Sequence, residues 1–198
     1  GAPISPWPIE ASERLDPGLA PESTLSYPPA GARIDQARLC NAQGETVNVL
    51  LPGRPYRLRY RVRFDSDARD VEFNMTLRTV DGVALYGMSS HGRGGFLPAV
   101  AAGDCAEVEF AFETTLLPGT YFLTVGCQAI PPGGDARVFL HRILDVTCFR
   151  IEAGTSDRYK IGFYDLAVEP AALWRLGPAG HEGPPAENPS DASPAPDP

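Results

Sequence analysis

Between residues 33 and 168 apolar and polar side chains alternate in short runs, each closed by a turn. Tyr56–Phe64 is the clearest run. Tyr56, Leu58, Tyr60, Val62 and Phe64 fall on one side and Arg57, Arg59, Arg61 and Arg63 on the other, the period of two of a half-buried strand. Comparable patterns predict strands over Arg33–Cys40, Val47–Leu50, Val71–Val80, Val83–Met88, Glu107–Thr114, Tyr121–Gln128, Asp145–Ala153 and Phe163–Val168. Turn chemistry separates them at Gln43-Gly44, Pro52-Gly53, Asp81-Gly82, Gly94-Gly95, Gly103-Asp104, Pro118-Gly119 and Pro131–Gly134. Short strands with frequent turns and almost no helical period predict an all-β, immunoglobulin-like antiparallel sandwich. Tyr121, just inside a strand after Pro118-Gly119, suits the corner of such a sandwich, where a tyrosine hydroxyl ties back to nearby backbone.

The two ends differ from the middle. Residues 1–30 read as an extended lead-in, because Pro6, Pro8, Pro17, Pro21, Pro28 and Pro29 forbid a long helix, although Ser12–Leu15 admits a short helical turn. Residues 177–198, rich in Pro, Ala, Gly, Asp and Glu, bury too little apolar surface to offset chain entropy and are expected to be disordered. The sandwich is therefore bounded at residues 31–170. No apolar run approaches the roughly 20 residues of a membrane-spanning helix, and the N-terminus lacks the basic start and apolar stretch of a signal peptide. Gly1-Ala2 reads as a scar of tag removal, which would make the chain a piece of a longer protein.

Charge and cysteines narrow the chemistry. The net charge is −8, and Glu182, Glu187, Asp191 and Asp197 of the tail supply half of it, leaving a mildly acidic body without the basic footprint of a nucleic-acid binder. Cys40, Cys105, Cys127 and Cys148 have neither CxxC spacing nor nearby histidines, which argues against zinc. Cys127 and Cys148 fall in predicted strands, where buried free thiols are the expectation. There is no phosphate loop, no dinucleotide fingerprint, no HExxH and no GxSxG, so no cofactor and no catalytic centre is expected. His91, in the glycine-rich loop Ser89–Gly95, lacks an identifiable nucleophile partner and fits a binding loop better than a catalytic base.

Two strand faces carry the remaining polar chemistry. The arginines of Tyr56–Phe64 have a complement in Glu107, Glu109 and Glu113, whose strand turns Val108, Phe110 and Phe112 inward; a solvated Arg–Glu ladder and a polyanion site are the two readings. The other face joins Asn74, Thr76 and Arg78 to Phe122, Thr124 and Gln128, with Tyr86 and His91 at its rim. Asp145, Thr147 and Phe149, or else Val146, Cys148 and Arg150, extend it in a register the pattern leaves open. Amide, hydroxyl and guanidinium groups beside a flat aromatic are what sugars need, since a pyranose C–H face packs on a ring while its hydroxyls take planar donors and acceptors. An ordinary polar outer face is the alternative.

The order Ser23-Thr24, Tyr27, Gly31–Ile34, Asn41–Gly44, Pro52-Gly53, Asp81-Gly82, Tyr86-Gly87, Gly103-Asp104 and Leu117–Tyr121 resembles the C-terminal domain of Wzt-type proteins, the nucleotide-binding subunits of ABC transporters that export O-antigen polysaccharides. The resemblance covers about residues 22–168. It implies a non-catalytic sandwich that recognises the non-reducing end of a glycan, capped or not, on the cytoplasmic side of the inner membrane. It also implies a transporter partner reached through an ATPase domain preceding Gly1, and a homodimer in which a terminal strand completes the partner's sheet. Here Tyr159–Leu176 is the candidate, with Gly162–Val168 as the strand and Leu173 and Trp174 as anchors; the alternative is that this strand completes its own domain. A carbohydrate module of a secreted glycan-active enzyme and a structural immunoglobulin-like spacer are the other two readings.

Overall fold

The computed structural model describes residues 12–91, 95–152 and 160–166, and every named element among them is a strand. In chain order these are β1 (Leu25–Ser26), β2 (Ala32–Cys40), β3 (Val49–Leu50), β4 (Pro55–Phe64), β5 (Ala68–Thr79), β6 (Ala84–Ser89), β7 (Leu97–Val100), β8 (Cys105–Glu113), β9 (Gly119–Ile130) and β10 (Val138–Ile151). They belong to a unit spanning Gly1–Asp165; a second unit is Leu166–Pro198, of which only Leu166 is described. The expected disordered tail, with Leu173 and Trp174, lies outside the described residues.

The alternation of the strands sorts them into a sandwich. The smaller sheet has the order β2-β4-β8, and the larger runs β1-β10-β9-β5-β6, with β3 beside β10 and β7 beside β5. All pairings are antiparallel except the short β3–β10 pair. Tyr56, Leu58, Tyr60 and Val62 of the smaller sheet and Val71, Met75, Leu123, Val125 and Cys127 of the larger one meet in one buried core. Burial pushes the Cys127 thiol up to about 12. All four cysteines are free thiols, three of them buried and Cys105 exposed.

Three polar ties fix how the layers meet. The Tyr121 hydroxyl donates to the Leu117 carbonyl at 2.7 Å, which closes the corner read from the sequence. Tyr60 carries its hydroxyl through the core to lie 3.3 Å from the carbonyl oxygens of both Asn74 and Gly126, so the middle of the larger sheet rests on the smaller. The Ile34 N–H of β2 donates to His141 Nδ1 of β10 at 2.9 Å. Burial first, and then the charge of Arg33, hold the His141 imidazole below its ordinary pKa.

The lead-in is extended throughout its described part. No helical turn forms at Ser12–Leu15, because Arg14 bridges to Val49 and its guanidinium pairs with Glu152. Asn48 then pins the chain, donating to the carbonyls of Asp16 at 2.8 Å and Leu19 at 2.9 Å. On the smaller sheet the arginine ladder is shared between two sides: Arg57 and Arg59 pair with Glu109 on β8, whereas Arg61 and Arg63 pair with Asp35 on β2.

Candidate functional site

The outer face of the larger sheet is built from cross-strand rows. Ser89, Asn74, Gly126 and Arg142 form one row over β6, β5, β9 and β10; Glu72, Gln128 and Phe139 form the next. Thr76 pairs with Thr124, and Arg78 with Phe122 and through it Cys148. The structure thus brings Asn74, Thr76, Arg78, Phe122, Thr124 and Gln128 onto one face, as their alternation predicts.

Hydrogen bonding divides these residues into two groups. Arg78 is a clamp. Its Nε donates to Asp145 Oδ1 at 2.7 Å, its Nη2 to Oδ2, and its Nη1 to the carbonyls of Thr79 and Val80. Its guanidinium carbon also lies 4.7 Å from the Phe122 ring centroid. The free fork expected at Arg78 is therefore committed within the protein, and its pKa is raised chiefly by the hydrogen bond to Asp145. Asp145 sits at a register shift of β10 with φ of 50°. Its amide donates to the buried Thr124 hydroxyl at 3.2 Å, and Ser23 donates to its carboxylate at 2.7 Å. Burial acts to raise the Asp145 pKa, but the bonds from Arg78 and Ser23 and the charge of Arg78 outweigh it and hold the carboxyl below its ordinary value. Thr124 is likewise part of the support and not of the surface.

At the other end of the face Arg137 pairs with Asp70 and Glu72, and Ser89 donates to Glu72. Between the two clusters lies a saddle whose floor is Gly126. A Cβ there would stand 2.5 Å from Asn74 Oδ1 and 3.0 Å from Phe139 Cε1, so the missing side chain is what lets Asn74 and Phe139 fold in from both sides. Asn74 Nδ2 is shielded and has no hydrogen-bond partner. The side chains of Gln128 and Thr76, both half-buried, have none within the protein either. The saddle therefore holds two amides and a hydroxyl whose bonding capacity is unused, beside the exposed Phe139.

The two rim residues lie elsewhere. Tyr86 pairs with Leu77 and shares its side of the sheet, so it lines an apolar cavity of about 270 Å³ with Met75, Leu77, Phe112 and Tyr164 on the open flank between β6 and β8. A cavity of about 550 Å³ lined by Phe73, Met88, Leu97 and Phe110 continues along that flank. His91 is exposed and tilted against Phe96 at 5.0 Å, next to the outer face at Ser89 but not among the residues of the saddle. Phe139 and Arg142 escape sequence reasoning because the predicted strand begins at Asp145, whereas β10 begins at Val138 and shifts register twice. The run Val138–Ile143 after the Gly133-Gly134 turn was the available signal.

Comparison with known proteins agrees with this architecture. The family model described as the Wzt C-terminal domain matches residues 26–166. A solved structure titled as the C-terminal domain of wzt superimposes with a TM-score of 0.65 at 24% identity, covering 81% of this chain and 93% of that one. A sporulation control protein, Spo0M from Bacillus subtilis, matches at a TM-score of 0.35 and 14% identity over 63% of this chain and 50% of its own. Comparison with the curated proteins gives no match. With its sandwich, its tyrosine corner and a family match over most of its length, the chain belongs to the Wzt C-terminal domain family.

Proposed function

We propose that this chain is the non-catalytic carbohydrate-recognition domain of an O-antigen polysaccharide ABC exporter, and that the saddle over Gly126 binds the non-reducing end of the glycan. The observation that carries the reading is the set of unpartnered groups on one face: Asn74 Nδ2, the Gln128 amide and the Thr76 hydroxyl beside the Phe139 ring. A sugar whose C–H face packs on the Phe139 ring directs hydroxyls at the amides, and pairing a shielded donor recovers roughly 1–3 kcal/mol. Arg78, Asp145 and Thr124 act beneath them as a support that holds β9 and β10 in register. In this role the domain works on the cytoplasmic side of the inner membrane, joined through an N-terminal ATPase domain to the transporter. Isothermal titration with the O-polysaccharide of the source organism tests the reading: heat is expected with the wild-type chain, and a loss of roughly 1–3 kcal/mol of binding in Asn74→Ala and Phe139→Ala. No heat contradicts glycan recognition. Normal binding by both variants moves the site to the arginine-bearing sheet.

We also propose a homodimer through Tyr159–Leu176. Among the described residues, Phe163–Asp165 runs antiparallel to Thr115–Leu117, with the Leu117 N–H donating to the Phe163 carbonyl at 2.8 Å and the Asp165 N–H to the Thr115 carbonyl at 2.7 Å. β8 pairs only with β4 and so has an open edge among the described strands. A symmetric exchange between two chains would cover both edges. Light scattering on the intact chain and on one ending at Gly154 distinguishes the cases: a monomeric intact chain contradicts the dimer.

A further inference from the structure

Beside the saddle, where the lead-in passes β10, Tyr27, Pro28, Phe139, His141 and Arg142 line an open cavity of about 290 Å³. The chain is held there by backbone: the Tyr27 N–H donates to the Arg142 carbonyl at 3.0 Å and the Ala30 N–H to the Leu140 carbonyl at 2.7 Å. The walls are the rings of Tyr27 and Phe139, 45% and 40% exposed. Arg142 lies with its guanidinium carbon 5.0 Å from the Phe139 ring centroid.

What distinguishes Arg142 is the partner it lacks. Arg14, Arg33, Arg57, Arg59, Arg61, Arg63, Arg78, Arg137 and Arg150 each face a carboxylate. Arg38 and Arg69 donate to backbone carbonyls. Among the described arginines only Arg142, and Arg54 in an exposed turn, have no acceptor at all. Arg142 is half-buried, stacked on a ring and set in a cavity, so its five donors are oriented but unused. His141 adds no second cation, because its Nδ1 accepts from Ile34 and its Nε2 faces the Ser26 hydroxyl at 3.1 Å, the pattern of a neutral ring. Arg142 shares its row with Gly126 and Asn74, and two strand spacings separate it from Asn74, roughly 10 Å. One short glycan reaches both.

We infer that this cavity is a subsite for an anionic substituent on the glycan, a carboxylate or phosphate borne by a sugar ring, with Arg142 as its bidentate partner and Tyr27 and Phe139 as the walls that orient the ring. The inference rests on the saddle reading for the rest of the glycan but is tested apart from it. Arg78 cannot serve this role, since its fork already holds Asp145.

The first experiment is a titration of the isotope-labelled full chain with D-glucuronate, D-glucose 6-phosphate and D-glucose, followed by two-dimensional NMR in 150 mM salt. Shifts at the Arg142 side chain and at the amides of Tyr27 and Arg142 are expected with an anionic sugar and not with glucose. The stronger of the two anions identifies the substituent. Arg142→Met, which keeps the stem packed on Phe139, should abolish them. Equal shifts with glucose, or none with either anion, overturn the subsite. The second experiment titrates the source organism's O-polysaccharide, native and after carboxyl reduction or dephosphorylation. Arg142→Met should bind the native polymer roughly tenfold to a hundredfold more weakly and the neutralised polymer as the wild type does. Undiminished binding of native polymer by Arg142→Met, with binding lost in Asn74→Ala, overturns the subsite alone. Anion-dependent shifts without any polymer binding overturn the saddle reading and leave the anion site standing.

Discussion

Asp145→Asn isolates the charge that organises the centre of β10. The Asp145 carboxylate is 4% exposed and its partner Arg78 23%. Asparagine keeps the volume and tolerates the positive φ of 50° as aspartate does, so backbone strain is held constant. What changes is that Arg78 loses an ionised, bidentate acceptor while remaining half-buried over Phe122. Breaking a fully buried pair costs about 3–5 kcal/mol and an exposed one about 0–1, so the partial exposure of Arg78 places this loss at about 2–3 kcal/mol. For a domain of this size that lowers the melting temperature by roughly 5–10 °C. Urea and thermal unfolding at pH 7 measure it, and Arg78→Met alone and with Asp145→Asn completes a cycle in which the double variant costs less than the sum of the singles. The pH dependence carries the sign. The Asp145 carboxyl is depressed in the folded state, so its contribution is complete above the ordinary carboxylate value and is lost as pH falls through the lower folded value. The gap between wild type and Asp145→Asn should therefore narrow below about pH 4. A loss under 0.5 kcal/mol at pH 7, or strict additivity in the cycle, would refute the clamp.

Three further outcomes follow from the same structure. Tyr121→Phe removes the hydroxyl that bonds the Leu117 carbonyl and should cost about 1–2 kcal/mol in urea unfolding without altering glycan binding. Gly126→Ala drives its Cβ against the ends of Asn74 and Phe139; these swing aside, so stability falls by about 1–2 kcal/mol while glycan binding is lost in titration calorimetry. His141 is held neutral in the fold by burial and by Arg33, so the unfolded chain binds its proton first. Wild-type stability should decline as pH falls from about 6.5 toward the lower folded value, and in His141→Asn that part of the pH profile should flatten.

The strands that alternate without interruption were legible in the sequence. β4 and β8 keep one period along their length, and β5 keeps it from Val71 onward, past its register shift at Asp70. β9 turns Tyr121, Leu123, Val125 and Cys127 inward, and the turn before Tyr121 announced the corner that its hydroxyl closes. The face bearing Asn74, Thr76, Phe122 and Gln128 follows from that period alone. Where an irregularity resets the period, side assignments fail. β10 shifts register at Phe139/His141 and again at Ile143/Thr147, which hid Phe139 and Arg142 and buried Asp145. The shift at Leu77/Arg78 accompanies the placing of Tyr86 on the flank instead of the rim. Composition shows that Arg78 can donate; only the fold shows that Asp145 and two carbonyls already accept from it. The two-residue strands β1 and β3 are too short to carry a period and are held by neighbours, as Asn48 holds the lead-in.

The central claim, that glycan is read on the saddle of the larger sheet, is tested most directly by mapping amide shifts of the full chain on addition of the source organism's O-polysaccharide fragments. The account predicts that the largest shifts fall on Asn74, Gly126, Gln128, Phe139 and Arg142, five positions in two adjoining rows of β5, β9 and β10. Shifts centred instead on Arg57, Arg59, Arg61 and Arg63 of β4, or along the β6–β8 flank at Tyr86 and Phe112, would contradict it.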